Sequence, residues 1–449
     1  MRGGEAIQAA AARAEPETAE VVGLTHEGEG IVRGGKTVFV AGALPGETVS
    51  FQRTRRHRQH DEGRLLEVLR PAPERVSPRC AHFGVCGGCA LQHLAPEAQL
   101  ALKEQELREN LARVARVECG NWLPPLRGPA WGYRRRARLG AKYVPKKGKV
   151  VVGFRERLAP YVADVTRCEV LAPPVDALIQ PLSDLLGMLE IRQHVPQIEV
   201  AVADNATALV LRVLRAPSEQ DLTKLREFAA DHSVRFYLQS GGLDSIAPLT
   251  AGEPAGPGLS YALSDFDLTL DFEPTDFVQV NAAVNGALVR RAVDLLQPTA
   301  ESRVLDLYCG LGNFTLALAR SAGSVTGVEG EAGLVERARH NARRNGLTNV
   351  QFHVGNLASP AELGSGWLTG RYTHVLLDPP RVGAVPEMLS AIAALAAQRV
   401  LYVSCHPGSL ARDLGILVHE HGFTLESAGV IDMFPHTAHV ESIALLRRP

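Results

Sequence analysis

The sequence predicts an α/β protein in which a C-terminal, Rossmann-like, doubly wound parallel sheet follows a small N-terminal β-barrel and a central α+β region. Three observations carry this prediction. After about Asp271, short apolar runs alternate regularly with amphipathic helical stretches. Between Glu20 and Pro71, short Val-rich runs alternate with Gly-containing turns, and the region in between mixes both patterns with Pro and Gly punctuation. A chain of 449 residues is longer than one core supports, and 45% hydrophobic with 22% charged residues is the balance of a folded globular protein rather than a disordered or fibrous one. The N-terminus lacks the apolar core of a signal peptide, and no apolar run approaches the ~20 residues needed to span a bilayer. A cytoplasmic setting without a membrane partner is therefore expected.

Taken in order, residues 1–17 read as a frayed, Ala-rich tail and 18–72 as an antiparallel barrel of OB-like type, a fold that often binds nucleic acid. The central α+β domain spans 73–270. It opens on a loop with three cysteines in ten positions (80–89) and continues into the helical stretch PEAQLALKEQELRENLARVA. The net charge of −1 conceals an uneven distribution. Arg53, Arg55, Arg56 and Arg58 cluster in the barrel, and Lys or Arg stands at 134, 135, 136, 138, 142, 146, 147, 149, 155 and 157 against the single acid Glu156. Interleaved with Tyr133 and Tyr143, these cations suit phosphate contacts and base stacking on a folded single-stranded RNA loop. Residues 271–449 supply strand-like SRVLDLY, SVTGVEG, NVQFHVGN, THVLLDPP and RVLYVSC, with helical FTLALARSA and AGLVERARHNARRNG among them.

The run Asp306-Leu-Tyr-Cys-Gly-Leu-Gly-Asn-Phe314 places Gly310 and Gly312 between a strand and a helix, where the backbone can pass close to a ligand. A second strand ends at Glu329, about twenty residues on, where a carboxylate accepts ribose hydroxyls. Position 315 is Thr rather than the third glycine of a dinucleotide fingerprint, so no pyrophosphate cradle is expected. The shorter loop suits S-adenosylmethionine, which carries no phosphate. Asn356, after a third strand, is placed to face an adenine edge. Asp378-Pro379-Pro380-Arg381, after a fourth, opens the space between cofactor and substrate.

Cys405 closes a fifth strand, and Glu441 follows an aromatic, Pro- and His-rich loop and leads into an apolar strand. A thiol and a carboxylate at one sheet edge suit a particular chemistry. Uracil C5 is a poor nucleophile until a thiolate adds at C6, and a base must afterwards remove the C5 proton so that the thiolate can leave. Cys309, inside the cofactor loop, is expected to pack rather than react, and Cys119 to be inert.

DLYCGLGNF, GVEG, LLDPPR, YVSCHP and MFPHTAHVES stand in order over some 140 residues and together resemble the ribosomal RNA uracil-5-methyltransferase family, bacterial enzymes that make 5-methyluridine in large-subunit RNA. The resemblance implies a class I methyltransferase domain over 271–449, a TRAM domain over 18–72, and an entry segment FVQVN at 277–281. It implies that Gln279, Tyr308, Asn313, Glu329, Asn356 and Asp378 line the S-adenosylmethionine site, with Cys405 the nucleophile, Glu441 the base and Asp378 beside them. The substrate implied is 23S ribosomal RNA, and no protein partner is implied. Two segments depart from the family's more frequent forms. Ser404-Cys405-His406-Pro407 replaces Ser-Cys-Asn-Pro, which leaves His406 without an inherited role, and Asp378-Pro379-Pro380-Arg381 replaces Asp-Pro-Ala-Arg.

Cys80, Cys86 and Cys89, with Cys168 downstream, make a four-thiolate set that suits either zinc or an iron–sulfur cluster, and spacing alone favours zinc. The family resemblance implies a [4Fe-4S] cluster in their place. Two rival functions remain at this level. An amino-group RNA methyltransferase would want an aromatic residue where Arg381 stands, and a non-catalytic TRAM-type RNA-binding or ribosome assembly factor would need no thiol.

Overall fold

The structure, a computed structural model, describes residues 15–249, 258–359, 366–395 and 397–448. Most of the tail expected over 1–17, up to residue 14, lies outside the described residues. Contacts divide the chain into two compact units. The first comprises Met1–Lys103, Phe154–Ala163 and Phe434–His439, and the second Glu104–Gly153, Asp164–Met433 and Val440–Pro449.

In the first unit, β1 (Glu17–Leu24), β2 (Glu29–Val32), β3 (Val38–Ala41), β4 (Thr48–Arg56) and β5 (Asp61–Arg70) close a barrel in the order β1-β2-β3-β5-β4. Alternation along β2, β3 and the start of β4 sends Val32, Val38, Val40, Val49 and Phe51 inward to one small core with Val21 and Ala43. One member of the basic cluster is structural. Arg53 pairs with Glu17 and with Asp61, each at 2.7 Å, and Asp61 also meets Lys36 at 2.7 Å. Only Arg55, Arg56 and Arg58 of that cluster are exposed. After the barrel, the cysteine loop pairs with the Phe154–Ala163 segment. Gly87 N donates to Arg155 O (2.8 Å) and Arg157 N to Val85 O (2.9 Å). The helix Pro96–Asn110 follows, extended by a π turn over Leu111–Ala115.

The second unit includes a short strand, β6 (Asn121–Trp122), and a six-stranded sheet built from β7 (Arg136–Val144), β8 (Lys149–Gly153), β9 (Gln197–Val202), β10 (Thr207–Arg212), β11 (Val234–Gln239) and β12 (Ile246–Pro248), in the order β12-β11-β10-β9-β7-β8. Helices Val175–Met188 and Glu219–His232 pack against it. Here the reading of the basic stretch is narrowed at four cations, which have acidic partners, and at Tyr133. Arg135 pairs with Asp204, Arg138 with Glu199, and both Lys147 and Lys149 with Asp164. Tyr133 is 5% exposed, so its ring is core rather than a stacking face.

A hairpin of β13 (Leu259–Leu263) and β14 (Leu268–Phe272) leads into the large sheet. The fully buried Asn341 clips it in place, accepting from Asp271 N (2.8 Å) and donating to Asp271 O (3.1 Å) and Leu311 O (3.2 Å). The large sheet comprises β15 (Arg303–Leu307), β16 (Ser324–Glu329), β17 (Val350–Val354), β18 (His374–Leu377), β19 (Arg399–Ser404), β20 (Thr424–Ile431) and β21 (Glu441–Arg447), with β6 at one edge. Its order is β17-β16-β15-β18-β19-β21-β20-β6. Strands β15 to β19 run parallel, whereas β21 is inserted antiparallel between β19 and β20. Near-continuous burial along β15, β18 and β19 reflects helices on both faces, the arrangement that makes such strands read as unbroken apolar runs. Tyr308, Glu329, Asn356, Asp378 and Cys405 all stand at or just beyond the carboxyl ends of parallel strands, the edge where open α/β sheets bind ligands. Among the described residues no helix is long and apolar enough to cross a membrane.

Candidate active site

Leaving β15, the chain turns at once, with φ +64° at Tyr308, +55° at Gly310 and +98° at Gly312. A left-handed tyrosine costs roughly 1–2 kcal/mol, and neighbouring bonds hold the turn. Cys309 N donates to Val328 O (3.1 Å) and Gly310 N to Glu329 Oε2 (3.1 Å). Glu329 Oε1 accepts from Glu331 N (3.1 Å). Both carboxylate oxygens are thereby fixed in direction while each keeps a lone pair for a ligand hydroxyl.

Around this turn lies a cavity of about 400 Å³ lined by Gln279, Tyr308, Gly310, Asn313, Glu329, Asn356 and Asp378, together with Tyr261, Phe277, Phe314, Leu357 and Pro380. Of the positions expected to bind cofactor, Gly312 alone does not line it. A Cβ at Gly312 would meet Leu316 Cγ at 3.1 Å, so this glycine serves the turn, while the Cβ position of Gly310 is open. Asn356 lies two residues past β17 and is exposed, with its side-chain oxygen accepting from Ala358 N (3.2 Å). Asn313 is already engaged. Its oxygen accepts from Tyr261 Oη and Asn285 Nδ2, both at 3.0 Å, and its Nδ2 donates to Asn285 Oδ1 (2.9 Å). Sequence reasoning missed Tyr261 and Asn285; only Asn285, one helical turn beyond Asn281 of the FVQVN run, carried a local signal.

Two acids beneath the cavity are perturbed. Burial, together with the Asp378 and Glu329 charges, pushes the Asp306 carboxyl up to about 7, against the hydrogen bond from Thr315. Burial likewise pushes Asp378, which opens onto the cavity, up to about 7. Asp306 Oδ1 has no hydrogen-bond partner among the described residues. A cavity walled by the Glu329 and Asp378 carboxyls suits a cationic ligand.

Cys405 and Glu441 do not line this cavity; the sheet register relates them to each other. Ser404 pairs with Ser442 across β19 and β21, and Val403 with Ile443. The ladder between these strands ends there, with Cys405 in the bend just past β19 and Glu441 the first residue of β21, so both stand at the same end of the strand pair. Cys405 is half-buried and Glu441 is 8% exposed. Burial first, then the Glu441 and Asp378 charges, push the Cys405 thiol above its ordinary range, while Arg381 acts in the opposite direction.

His406 has a defined place. Its Nδ1 accepts from Ser409 N (3.1 Å), which caps the helix Pro407–His419. Asn is a strong N-cap residue, so an accepting imidazole nitrogen keeps the cap where Asn gives way to His. Beyond the cap, the fully buried Asp413 accepts from Ala384 N (2.8 Å), Tyr402 Oη (2.5 Å) and Arg412 Nε (2.7 Å). The turn after Asp378-Pro-Pro-Arg is thus tied to the strand that carries Cys405. No local motif announced Asp413, because two of its partners, Ala384 and Tyr402, come from other segments.

In the first unit Cys80, Cys86 and Cys89 are each half-buried, and Gly88 N donates to Cys86 Sγ (3.5 Å). Close by, His93 is 2% exposed and stacks at a tilt on Phe83, with ring centroids 5.2 Å apart, and neither ring nitrogen has a hydrogen-bond partner among the described residues. Burial and then the Arg75 and Arg157 charges push it down to about 4, so the ring is neutral. Cys168, in the second unit, is buried. None of the seven cysteines forms a disulfide. Among the described residues no three His, Cys, Asp or Glu side chains gather to hold a single metal ion. Cys309 is 4% exposed, and burial pushes its thiol well up, in line with packing. Cys119 Sγ donates to Asn121 O (3.2 Å).

The family described as tRNA (Uracil-5-)-methyltransferase matches residues 261–361 and 368–449. The 23S rRNA (uracil(1939)-C(5))-methyltransferase RlmD of Methylococcus capsulatus is 50% identical over 436 residues, covering 97% of this chain and 98% of that protein. The protein of the same name from Alkalilimnicola ehrlichii is 51% identical over 435 residues, covering 97% of each. Among solved structures, Pyrococcus abyssi tRNA (uracil-54, C5)-methyltransferase in complex with S-adenosyl-L-homocysteine aligns over 96% of this chain and 99% of that one, with a TM-score of 0.74 at 23% identity, a likeness of fold. That fold is a Rossmann-like class I methyltransferase domain with a central α+β domain and an N-terminal OB-like barrel of TRAM type. The chain belongs to the family of 23S ribosomal RNA (uracil-C5)-methyltransferases.

Proposed function

We propose that the protein methylates C5 of a uridine in 23S ribosomal RNA of the cytoplasm, using S-adenosylmethionine and a covalent adduct between Cys405 and C6 of the base. The observation that carries this reading is the register that sets positions 405 and 441 at the same end of a strand pair, at the sheet edge shared with Asp378. Cys405 as thiolate adds to C6, and the electron pair of the C5–C6 double bond passes to C5 and the adjacent carbonyl. C5 then takes the methyl group from the sulfonium, leaving S-adenosylhomocysteine. Glu441 removes the C5 proton, the C–H pair restores the double bond, and the C6–S bond breaks to return the thiolate. A uracil in a stack admits no thiol at C6, so the target base leaves its stack to react.

Gln279, Tyr308, Gly310, Asn313, Glu329, Asn356 and Asp378 would hold the cofactor. Glu329, fixed by two backbone N–H groups, suits the ribose hydroxyls, and Asp378 suits the sulfonium side. The thiol starts protonated at neutral pH, which keeps it unreactive until a substrate is bound. Incubation with RNA containing 5-fluorouridine tests the mechanism. A denaturation-resistant adduct that Cys405→Ala abolishes is expected; no adduct, or one that survives the substitution, overturns it.

The cysteine loop is proposed to hold a [4Fe-4S] cluster, with Cys80, Cys86 and Cys89 as thiolates and Cys168 as the fourth from the sequence pattern. Soft thiol donors, an N–H directed at Cys86 Sγ and the two unsatisfied nitrogens of His93 support a sulfur-rich group there. Such a group would order the loop and takes no part in methyl transfer. Iron and acid-labile sulfide in anaerobically purified protein are expected; zinc without sulfide would replace the cluster by the metal ion.

A further inference from the structure

Three side chains close on the turn that follows β18. Gly383, at φ +79°, ends a tight reversal in which its N–H donates to Pro380 O (2.8 Å), and a Cβ there would stand 2.5 Å from both Arg412 Nη2 and Asp413 Oδ2. Only glycine admits so close an approach. The next residue, Ala384, gives its N–H to Asp413 Oδ2 (2.8 Å) and Tyr402 Oη (3.3 Å), and the Tyr402 hydroxyl itself donates to Asp413 Oδ2 (2.5 Å). Arg412 Nη2 donates to Val382 O (2.8 Å) and Ala384 O (3.2 Å), while its Nε and Nη2 meet Asp413 Oδ1 at 2.7 and 2.6 Å.

Asp413 and Tyr402 are both fully buried. A buried carboxylate is costly and is no better for stability than apolar packing of the same volume. What it adds here is direction, since one side chain fixes a backbone N–H, a phenol and a guanidinium at once. The clamp grips residues 382–384, whereas Asp378 is held separately, its N–H donating to Leu307 O (3.3 Å) at the end of β15. Arg381 is exposed and stands between the two holds. Tyr402 lies three residues before Cys405, and Arg412 and Asp413 lie on the helix that starts two residues after it. The charges that act on Cys405 are Glu441 of β21 and Asp378 and Arg381 of this turn, and of these Arg381 alone favours the thiolate.

We propose that Asp413 is a positioning residue for the addition of Cys405 to the uracil. With Tyr402 and Arg412 it ties the turn that carries Arg381 to the strand and helix on either side of the thiol. This rests on Cys405 being the nucleophile. Loosening the clamp releases Arg381 but not Asp378, which keeps its own bond to β15. Loss of Asp413 therefore slows thiolate addition and leaves the cofactor held.

The test uses the full-length protein, S-adenosylmethionine and a 23S ribosomal RNA transcript carrying 5-fluorouridine, with adduct formation timed at saturating cofactor. Asp413→Asn is expected to slow adduct formation about 10- to 100-fold, the range for a group displaced by about 1 Å, while calorimetry finds S-adenosylhomocysteine affinity within about 2-fold of the parent. Because Arg381 favours the thiolate, its release raises the thiol pKa, and the pH profile of adduct formation moves to higher pH. In an Arg381→Met background Asp413→Asn adds less than about 2-fold, since the group it positions is already gone. Arg412→Met, at an exposed site, removes the bonds to Val382 O and Ala384 O and gives a weaker form of the same pattern, which keeps the test open if Asp413→Asn fails to fold. An unchanged rate, an unmoved pH profile, an equal loss of cofactor affinity, or the same cost in both backgrounds overturns the positioning role. No adduct in the parent, or one that survives Cys405→Ala, overturns instead the assignment of the nucleophile.

Discussion

The two halves of the large sheet solve different problems. On one side, β17, β16, β15 and β18 run parallel, and Tyr308, Glu329, Asn356 and Asp378 line the cofactor cavity from at or just past the ends of these strands. On the other side, β21 runs antiparallel to β19, so the start of one strand lies beside the end of its neighbour. That reversal brings residue 441 to the end of the strand pair where residue 405 stands, although 35 residues separate them in sequence. A parallel neighbour presents the carboxyl end of every strand at this edge, preceded by a crossover; an antiparallel one lets a residue entering a strand meet one leaving. The parallel half is suited to gripping a ligand through successive loops, and the antiparallel half to opposing two reactive groups.

If the halves divide binding from chemistry, their substitutions separate. Cys405→Ala is expected to have the largest effect, lowering methylation by about 10³-fold or more while calorimetry finds cofactor affinity within about 2-fold. A large loss of cofactor affinity would dissolve the division. Glu441→Gln should lower turnover by about 10²- to 10⁴-fold. The Glu441 charge also raises the Cys405 thiol, so its removal lowers that pKa, and the pH profile of 5-fluorouridine adduct formation should move to lower pH. An unchanged profile would place the carboxylate far from the thiol.

In the parallel half, Glu329→Gln is expected to weaken cofactor binding by about 1–3 kcal/mol, or roughly 5- to 150-fold. Adduct formation on 5-fluorouridine RNA at saturating cofactor should stay near the parent rate. A smaller effect follows from Asp378, whose carboxyl is pushed up to about 7 and is therefore largely protonated below that pH. A sulfonium favours the ionised form, so binding releases a proton and affinity should rise with pH through about 7, with a shallower slope in Asp378→Asn. Without ligand the sign reverses. The folded state binds more protons than the unfolded chain between about 4 and about 7, so the melting temperature of the ligand-free protein should fall as pH rises across that window. The smallest effect is at His406. Loss of the cap in His406→Ala should cost about 0.5–2 kcal/mol of stability in chemical denaturation, and His406→Asn should cost only a few tenths.

Much of the parallel half can be read from the chain because its determinants are local. Gly310 and Glu329 each sit within a strand–turn–helix unit whose pattern declares it, and the apolar runs of β15 to β19 mark strands buried on both faces. Gly312 shows the limit even there. The same GxG pattern that predicts a ligand contact is satisfied by a glycine facing Leu316, and only the backbone angles distinguish them. The basic stretch shows a related limit. A run of Arg and Lys reports charge along the chain, whereas Asp204, Glu199 and Asp164, which pair with four of its ten cations, arrive from elsewhere.

By itself the sequence determined the fold class, the order of strands along the chain, and the chemical types at the site: a thiol, carboxylates, and a glycine turn. Residue type and local periodicity are inherited directly from covalent order, so these needed no third dimension. The tertiary structure alone decided the placing of 405 and 441 at one end of a strand pair, the locking of Asn313 by Tyr261 and Asn285, and the hold of Asp413 on Ala384. Each joins segments at least 28 residues apart, and contacts at such separations arise from how strands and loops are laid side by side, a choice that local pattern does not encode.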